Sequence, residues 1–260
     1  METSDHFKNR ATPKSQTSRK FIRKKMKKII FSLFALTAFV LQSQAQDKKG
    51  YIGLSIGPSI PMGDLASKDA DNDAAGWANT GAIFDISFAY KLGNGNFGIT
   101  ALLRGQSNPT DAQSLADELA NQVAGVNWTV ESAGWGIGGL MFGGFGSFPI
   151  SEKSSFDTRA MIGFLSASSP EITITGSGPG GTVWVKQSST ASTSFAYLLG
   201  AGFKFDLGKK LFLLTNLDYL GSNPEFKNVE TTASDGTREK NTWSQSMGTI
   251  NLSVGIALKL

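Results

Sequence analysis

Nine charged side chains recur in one phase of alternating apolar and polar segments: Asp85, Lys91, Arg104, Asp157, Arg159, Lys204, Asp206, Asp218 and Lys259. Carboxylates set near cations on a shared face could serve as an acid–base pair, line an ion path, or neutralise one another. With five positive and four negative groups the face is close to balance. Charges withdrawn from water and left unpaired cost several kcal/mol each, so mutual pairing is the expected use. Interior ion pairs are therefore expected among Asp85, Arg104, Asp157, Arg159, Lys204 and Asp218. One pair can be named from register alone. Asn94-Gly95 is a strong hairpin signal that sets Gly93 opposite Asn96. Counting outward from it puts Asp85 directly across from Arg104.

Missing residue types exclude most other chemistry. The only histidine is His6 and the sequence has no cysteine. Residues 46–260 therefore lack the ligands of a Cys/His zinc site, a thiol nucleophile and any Ser-His-Asp arrangement. No catalytic residue, cofactor or metal is expected. Asp69-Ala70-Asp71-Asn72-Asp73 resembles the start of a calcium loop, but Ala74 stands where that loop needs glycine and Thr80 where it needs glutamate. A solvated acidic loop is the expectation there.

The N-terminus reads as a targeting segment. Lys27-Lys28 precedes the 13-residue apolar run Ile29–Leu41, which is followed by Ser43-Gln44-Ala45. A basic start, a short apolar stretch and small residues at a cleavage point make a secretory signal, whereas a spanning helix needs about 20 apolar residues. Residues 1–45 are expected to be an N-terminal extension and signal peptide that is removed, and residues 46–260 the folded domain. A start at Met26 would give the signal opening MKKIIFSLF. The leader holds 10 of the 25 Lys and Arg and 2 of the 21 Asp and Glu, so residues 46–260 carry 15 basic and 19 acidic groups, a net −4. The basic character of the whole chain belongs to the leader, and no nucleic-acid partner is expected.

The charged face must be positioned by strands. Eight segments alternate with period two, and the clearest is Ile250, Leu252, Val254, Ile256 and Leu258 set against Asn251, Ser253, Gly255, Ala257 and Lys259. One glycine-rich segment, Ala133–Phe148, is ambiguous in phase, with Gly143-Gly144 as a candidate bulge. The links Gly93–Asn96, Pro149–Ser154 and Gly208–Lys210 are brief, while those after the first, third, fifth and seventh segments run to about 20–25 residues. One face of each clear strand is free of charge over about ten residues, as membrane crossing requires. The other face is small and charged rather than bulky and apolar, the reverse of a soluble barrel's filling. Tyr51, Tyr90, Phe97, Phe156, Phe205 and Tyr219 near strand ends would suit interfacial girdles. The expected fold is an all-β, eight-stranded antiparallel up-and-down transmembrane β-barrel.

Among the long links, Thr110 with Gln113 resembles a capping box ahead of a short helix whose apolar side carries Leu115, Ala116 and Leu119. Glu171–Thr175 and Thr182–Lys186 read as strands five and six continuing outward as a raised hairpin. Its edge could recruit a partner strand, with Trp184 as an anchor.

The eight-strand pattern over Gly50–Leu260, ending in Gly255-Ile256-Ala257-Leu258-Lys259-Leu260, resembles the small OmpA/OmpX-type outer-membrane β-barrels, though it closes on Leu rather than an aromatic residue. The resemblance implies the outer membrane of a Gram-negative-type bacterium. It also implies contact with outer-membrane lipids, and with the barrel-assembly machinery during biogenesis. The expected role is non-enzymatic: structural, or surface binding and adhesion to an external protein or glycan through the outer loops. A narrow pore for small solutes or ions, a soluble ligand-binding β-barrel in the periplasm and an envelope enzyme are the alternatives.

Overall fold

The computed structural model describes residues 49–260, so the expected signal segment lies outside the described residues. Eight strands close into an antiparallel barrel: β1 (Gly50–Met62), β2 (Gly81–Lys91), β3 (Phe97–Asn108), β5 (Trp135–Ser151), β6 (Ser154–Ser168), β9 (Ala191–Asp206), β10 (Leu211–Ser222) and β13 (Met247–Lys259). Each pairs with its neighbours in sequence order, and β1 closes on β13 through pairs such as Leu54 with Ile256. Closure leaves no open edge in this wall.

Every strand obeys the period-two rule. Leu54, Ile56, Phe84, Ile99, Leu140, Phe164, Leu199, Leu217 and Val254 project outward and are exposed, while Ser55, Asp85, Arg104, Met141, Leu198, Asp218 and Asn251 point inward and are buried. A soluble protein does not present an apolar belt of this extent around its whole circumference. The belt matches the lipid-facing band of a spanning barrel.

Register across the β2–β3 turn agrees with the count from Asn94-Gly95: Lys91 pairs with Gly98 and Asp85 with Arg104. The turn itself differs. Gly93 takes the left-handed conformation (φ 63°), and Leu92 N–H closes the loop on Phe97 O at 2.9 Å. A one-residue slip would turn each strand's apolar set inward, so the alternation fixes this register independently of turn type.

Strand β5 needs a correction. Gly143 and Gly144 sit in unbroken register opposite Thr100 and Ile99, and the irregularity falls instead between Pro149 and Ser151. The glycine at 143 serves close approach: a Cβ there would lie 2.0 Å from the Ala160 carbonyl oxygen on β6. The lumen is also less polar than expected. Leu102, Met141, Met161, Leu165, Ala196, Leu198 and Leu220 form an apolar cluster on one side of it, continuing outward to Trp135, Phe226 and Met247. Buried polar side chains are concentrated along β1, β2, β3 and β13, with Asp218 on β10 and, nearer the short turns, Ser147 on β5 and Ser155 on β6.

At the long-loop end stands a second, five-stranded sheet in the order β12 (Arg238–Ser244), β11 (Glu225–Ala233), β8 (Gly181–Gln187), β7 (Ile172–Gly178), β4 (Asn127–Ser132). The β7–β8 hairpin is thus one part of a separate sheet, beyond the Ser169-Pro170 break, and not a continuation of β6 and β9. Helix α1 (Ala112–Gln122) packs beside β4. Its N-cap is Asp111, whose carboxylate accepts from Ser114 N–H at 3.1 Å. Thr110 instead donates to Ala133 O, and Gln113 bonds to Asp117.

The Asp111 cap carries a pH prediction. Its hydrogen bond from Lys68, followed by that from Ser114 N–H, pulls its pKa from 3.8 to about 2. A carboxylate whose folded pKa is depressed stabilises fully above its ordinary value and loses that contribution as pH falls through the folded value. The α1 cap is therefore intact above pH 4 and lost between about pH 4 and pH 2. Carbon-13 carboxyl NMR should give Asp111 a midpoint near 2, with α1 signals fading over the same range. A midpoint at the ordinary value of 3.8 would contradict the cap's role.

Candidate functional site

Inside the barrel six of the predicted charges and two more meet as one four-membered chain and two separate pairs. Arg104 grips Asp85 with two parallel bonds, Nε to Oδ1 at 2.8 Å and Nη2 to Oδ2 at 2.7 Å. Its Nη2 also reaches across the lumen to Asp218 Oδ2 at 2.9 Å. Asp218 in turn takes Nε and Nη2 of Arg159 at 2.9 and 2.6 Å. Asp85, Arg104, Asp218 and Arg159 thus join four strands in a neutral chain, and the side chains of Arg104 and Asp218 are both 0% exposed. Forked guanidinium–carboxylate pairs are the strong form of this bond and fix geometry as well as charge.

Nearer the short turns, Lys204 Nζ bonds Asp157 at 3.0 Å and the Ser147 hydroxyl at 2.9 Å, and Lys259 pairs with Asp206. Lys91 joins no ion pair among the described residues. Tyr51, expected in the interfacial girdle, is turned inward instead. The Lys204 ammonium lies 5.7 Å from its ring centre.

Each inward carboxylate is held by a cation. The Ser155 hydroxyl also donates to Asp157 Oδ1 at 2.9 Å, beside the Lys204 pair. In the acidic loop, Asp69 and Asn72 use side-chain oxygens to accept from Asp71 and Ala74 N–H, both at 3.0 Å. These are ordinary Asx turns.

The long-loop end is closed by aromatic packing. Phe226 and Trp243 lie 4.7 Å apart between ring centres, each about 6 Å from Trp135, whose indole N–H donates to Gly76 O at 2.8 Å. Gln245 bonds Ala74 O at 3.0 Å. The start of β5 and residues from two long loops thereby seal the mouth above the apolar side of the lumen. Trp135 belongs to a segment read as a strand, but Phe226 and Trp243 lie in one read as a loop, so the sequence did not bring the three rings together.

A closed wall, an exposed apolar belt and a lumen filled by neutralised charges belong together only in lipid. The chain folds as an eight-stranded transmembrane β-barrel. No protein-family model and no curated protein sequence matches it. Among solved structures the barrel is similar to Ail, the attachment invasion locus protein of Yersinia pestis, at 13% identity and a TM-score of 0.43, covering 83% of this chain and 100% of that one. It is also similar to Neisserial surface protein A, at 13% identity and 0.44, covering 81% and 97%. A third is a major outer membrane protein from Thermus thermophilus, at 9% identity and 0.45, covering 81% and 99%. At such identities the likeness concerns architecture alone, and the barrel assignment rests on its own register and exterior.

The raised sheet is the other place where a site could form. Strand β8 is its central strand, yet Val183 is 58% exposed, Val185 43% and, on the opposite face, Trp184 38%. A middle strand ordinarily buries at least one face. The β7 edge of the hairpin is fully paired with β4, from Ile172 to Ser177. On the other side β11 covers only Val185–Gln187, so Gly181–Val183 remain an open edge. The hairpin edge foreseen from sequence is therefore reduced to its tip, beside Trp184.

Proposed function

We propose that this chain is a non-enzymatic outer-membrane protein that binds an external partner, protein or glycan, through the tip of its raised sheet. The observation that carries this reading is the β8 tip, where an open backbone edge coincides with exposed Val183, Trp184 and Val185. An apolar and aromatic patch on a rigid strand is what a binding surface needs, because little order is lost when a partner settles on it. The free edge at β12 is a poorer candidate, since Arg238, Glu239 and Lys240 give it the charges that discourage strand addition. The expected signal segment at residues 1–45, outer-membrane lipids and the assembly machinery belong to the same reading.

The pore alternative has less support. The lumen charges neutralise one another and the external mouth is packed with Trp135, Phe226 and Trp243. Eight strands leave room for side chains rather than a channel. In planar bilayers the protein is expected to add no steady conductance.

For the binding role, bacteria displaying the protein would be tested on panels of extracellular-matrix proteins and glycans. The variant Val183→Ser/Trp184→Ala/Val185→Ser should lose about tenfold or more of that binding, as hot-spot truncation does, while keeping its barrel. Equal binding by parent and variant, or none by either, would contradict the proposal.

A further inference from the structure

We propose that the periplasmic mouth of the barrel is a binding site for an oxyanion, phosphate or carboxylate, carried on a small molecule. The mouth encloses a cavity of about 220 Å³. Lys49 and Lys91 line it from adjacent strand ends, set side by side by the bond from Lys91 N–H to Lys49 O at 2.8 Å. Lys153 faces them from the β5–β6 turn, and Lys204 closes the inner side beside the rings of Tyr51 and Phe212. Two carboxylates also reach the lining, Glu152 and Asp206. Asp206 is engaged by Lys259 and Lys204 by Asp157, and Glu152 and Lys153 both lie exposed on the turn, which leaves Lys49 and Lys91 as the unmatched inner cations among the described residues.

Among the described residues, neither Lys49 nor Lys91 has a carboxylate oxygen within 4 Å. The contrast with the rest of the lumen is what singles this place out. Deeper in, the charges are matched, and here two cations stand side by side with no carboxylate partner among the described residues. Like charges in a recess with low-dielectric walls repel strongly and focus a positive potential on the opening. An oxyanion relieves that repulsion and gains charge-assisted hydrogen bonds from the ammonium groups. The aromatic wall would take a short apolar stem, and the cavity is too small for a polymer.

The test uses residues 46–260 refolded in uncharged maltoside micelles and followed by amide NMR. Inorganic phosphate, acetate and glycerol 1-phosphate are titrated in turn. Saturable shifts confined to the neighbourhood of Gly50, Lys91, Ser147 and Ser155 are expected. The Lys49→Gln/Lys91→Gln variant should bind about tenfold more weakly, consistent with removal of two charges a few ångströms from the anion. Lys227→Gln, whose native lysine pairs with Glu225 on the outer sheet, should bind as the parent does. Saturation in micelles assigns the site to a soluble anion. Shifts that arise only in phosphatidylglycerol nanodiscs, and not in phosphatidylcholine ones, assign it to a lipid headgroup. Shifts that never saturate in either setting, or equal affinity for parent and double variant, overturn the proposal.

Discussion

Replacing Asp218 with alanine is expected to destabilise the folded barrel by about 3–5 kcal/mol, the cost of breaking a buried ion pair from one side. Asp218 is the hinge of the lumen network, accepting two bonds from Arg159 and one from Arg104. Without it Arg104 keeps Asp85, but Arg159 has no carboxylate among the described residues. The effect is read from urea unfolding midpoints in micelles. The paired replacement Asp218→Leu/Arg159→Met should recover most of the loss, because exchanging an entire buried pair for apolar groups is close to neutral. A loss under about 1 kcal/mol for Asp218→Ala would mean the network behaves like a solvated surface pair.

The second large effect concerns the outer wall. Val254 lies at the middle of β13 and is 51% exposed, with Leu258 nearer the short-turn end. Arginine at a bilayer midplane costs a barrel about 2–4 kcal/mol, and near an interface about 0–1 kcal/mol. Val254→Arg should therefore cost several times more than Leu258→Arg when each is refolded into lipid vesicles. Equal costs at the two depths would mean this face does not meet hydrocarbon.

The barrel was legible in the sequence where a single rule governs: one face of Ile250–Leu258 meets lipid, the other meets the lumen, and alternation follows. Register was legible for the same reason, so Asp85 and Arg104 could be placed opposite each other although the turn conformation came out differently. The partnership of Arg104 with Asp218 was not. These residues are 114 positions apart and meet through the lumen rather than along a ladder, so neither spacing nor register announces them.

The raised sheet was only partly visible. Strand β11 carries a register break between Phe226 and Val229, with Asn228 at φ 55°, which interrupts the alternation that would have marked it. Strand β4 is six residues long and half-exposed, too short to stand out from a loop. The apolar side of the lumen was missed because the inward Met141 lies within a glycine run whose phase cannot be read locally.

Whether the barrel lives in lipid can be tested by refolding residues 46–260 with and without detergent micelles and comparing unheated with boiled samples by gel mobility. Folding only in micelles, with a band that shifts on boiling, is the expected result. A soluble, monodisperse β-protein in plain buffer would contradict it, because the belt of Leu54, Phe84, Phe164 and Val254 could not then face outward.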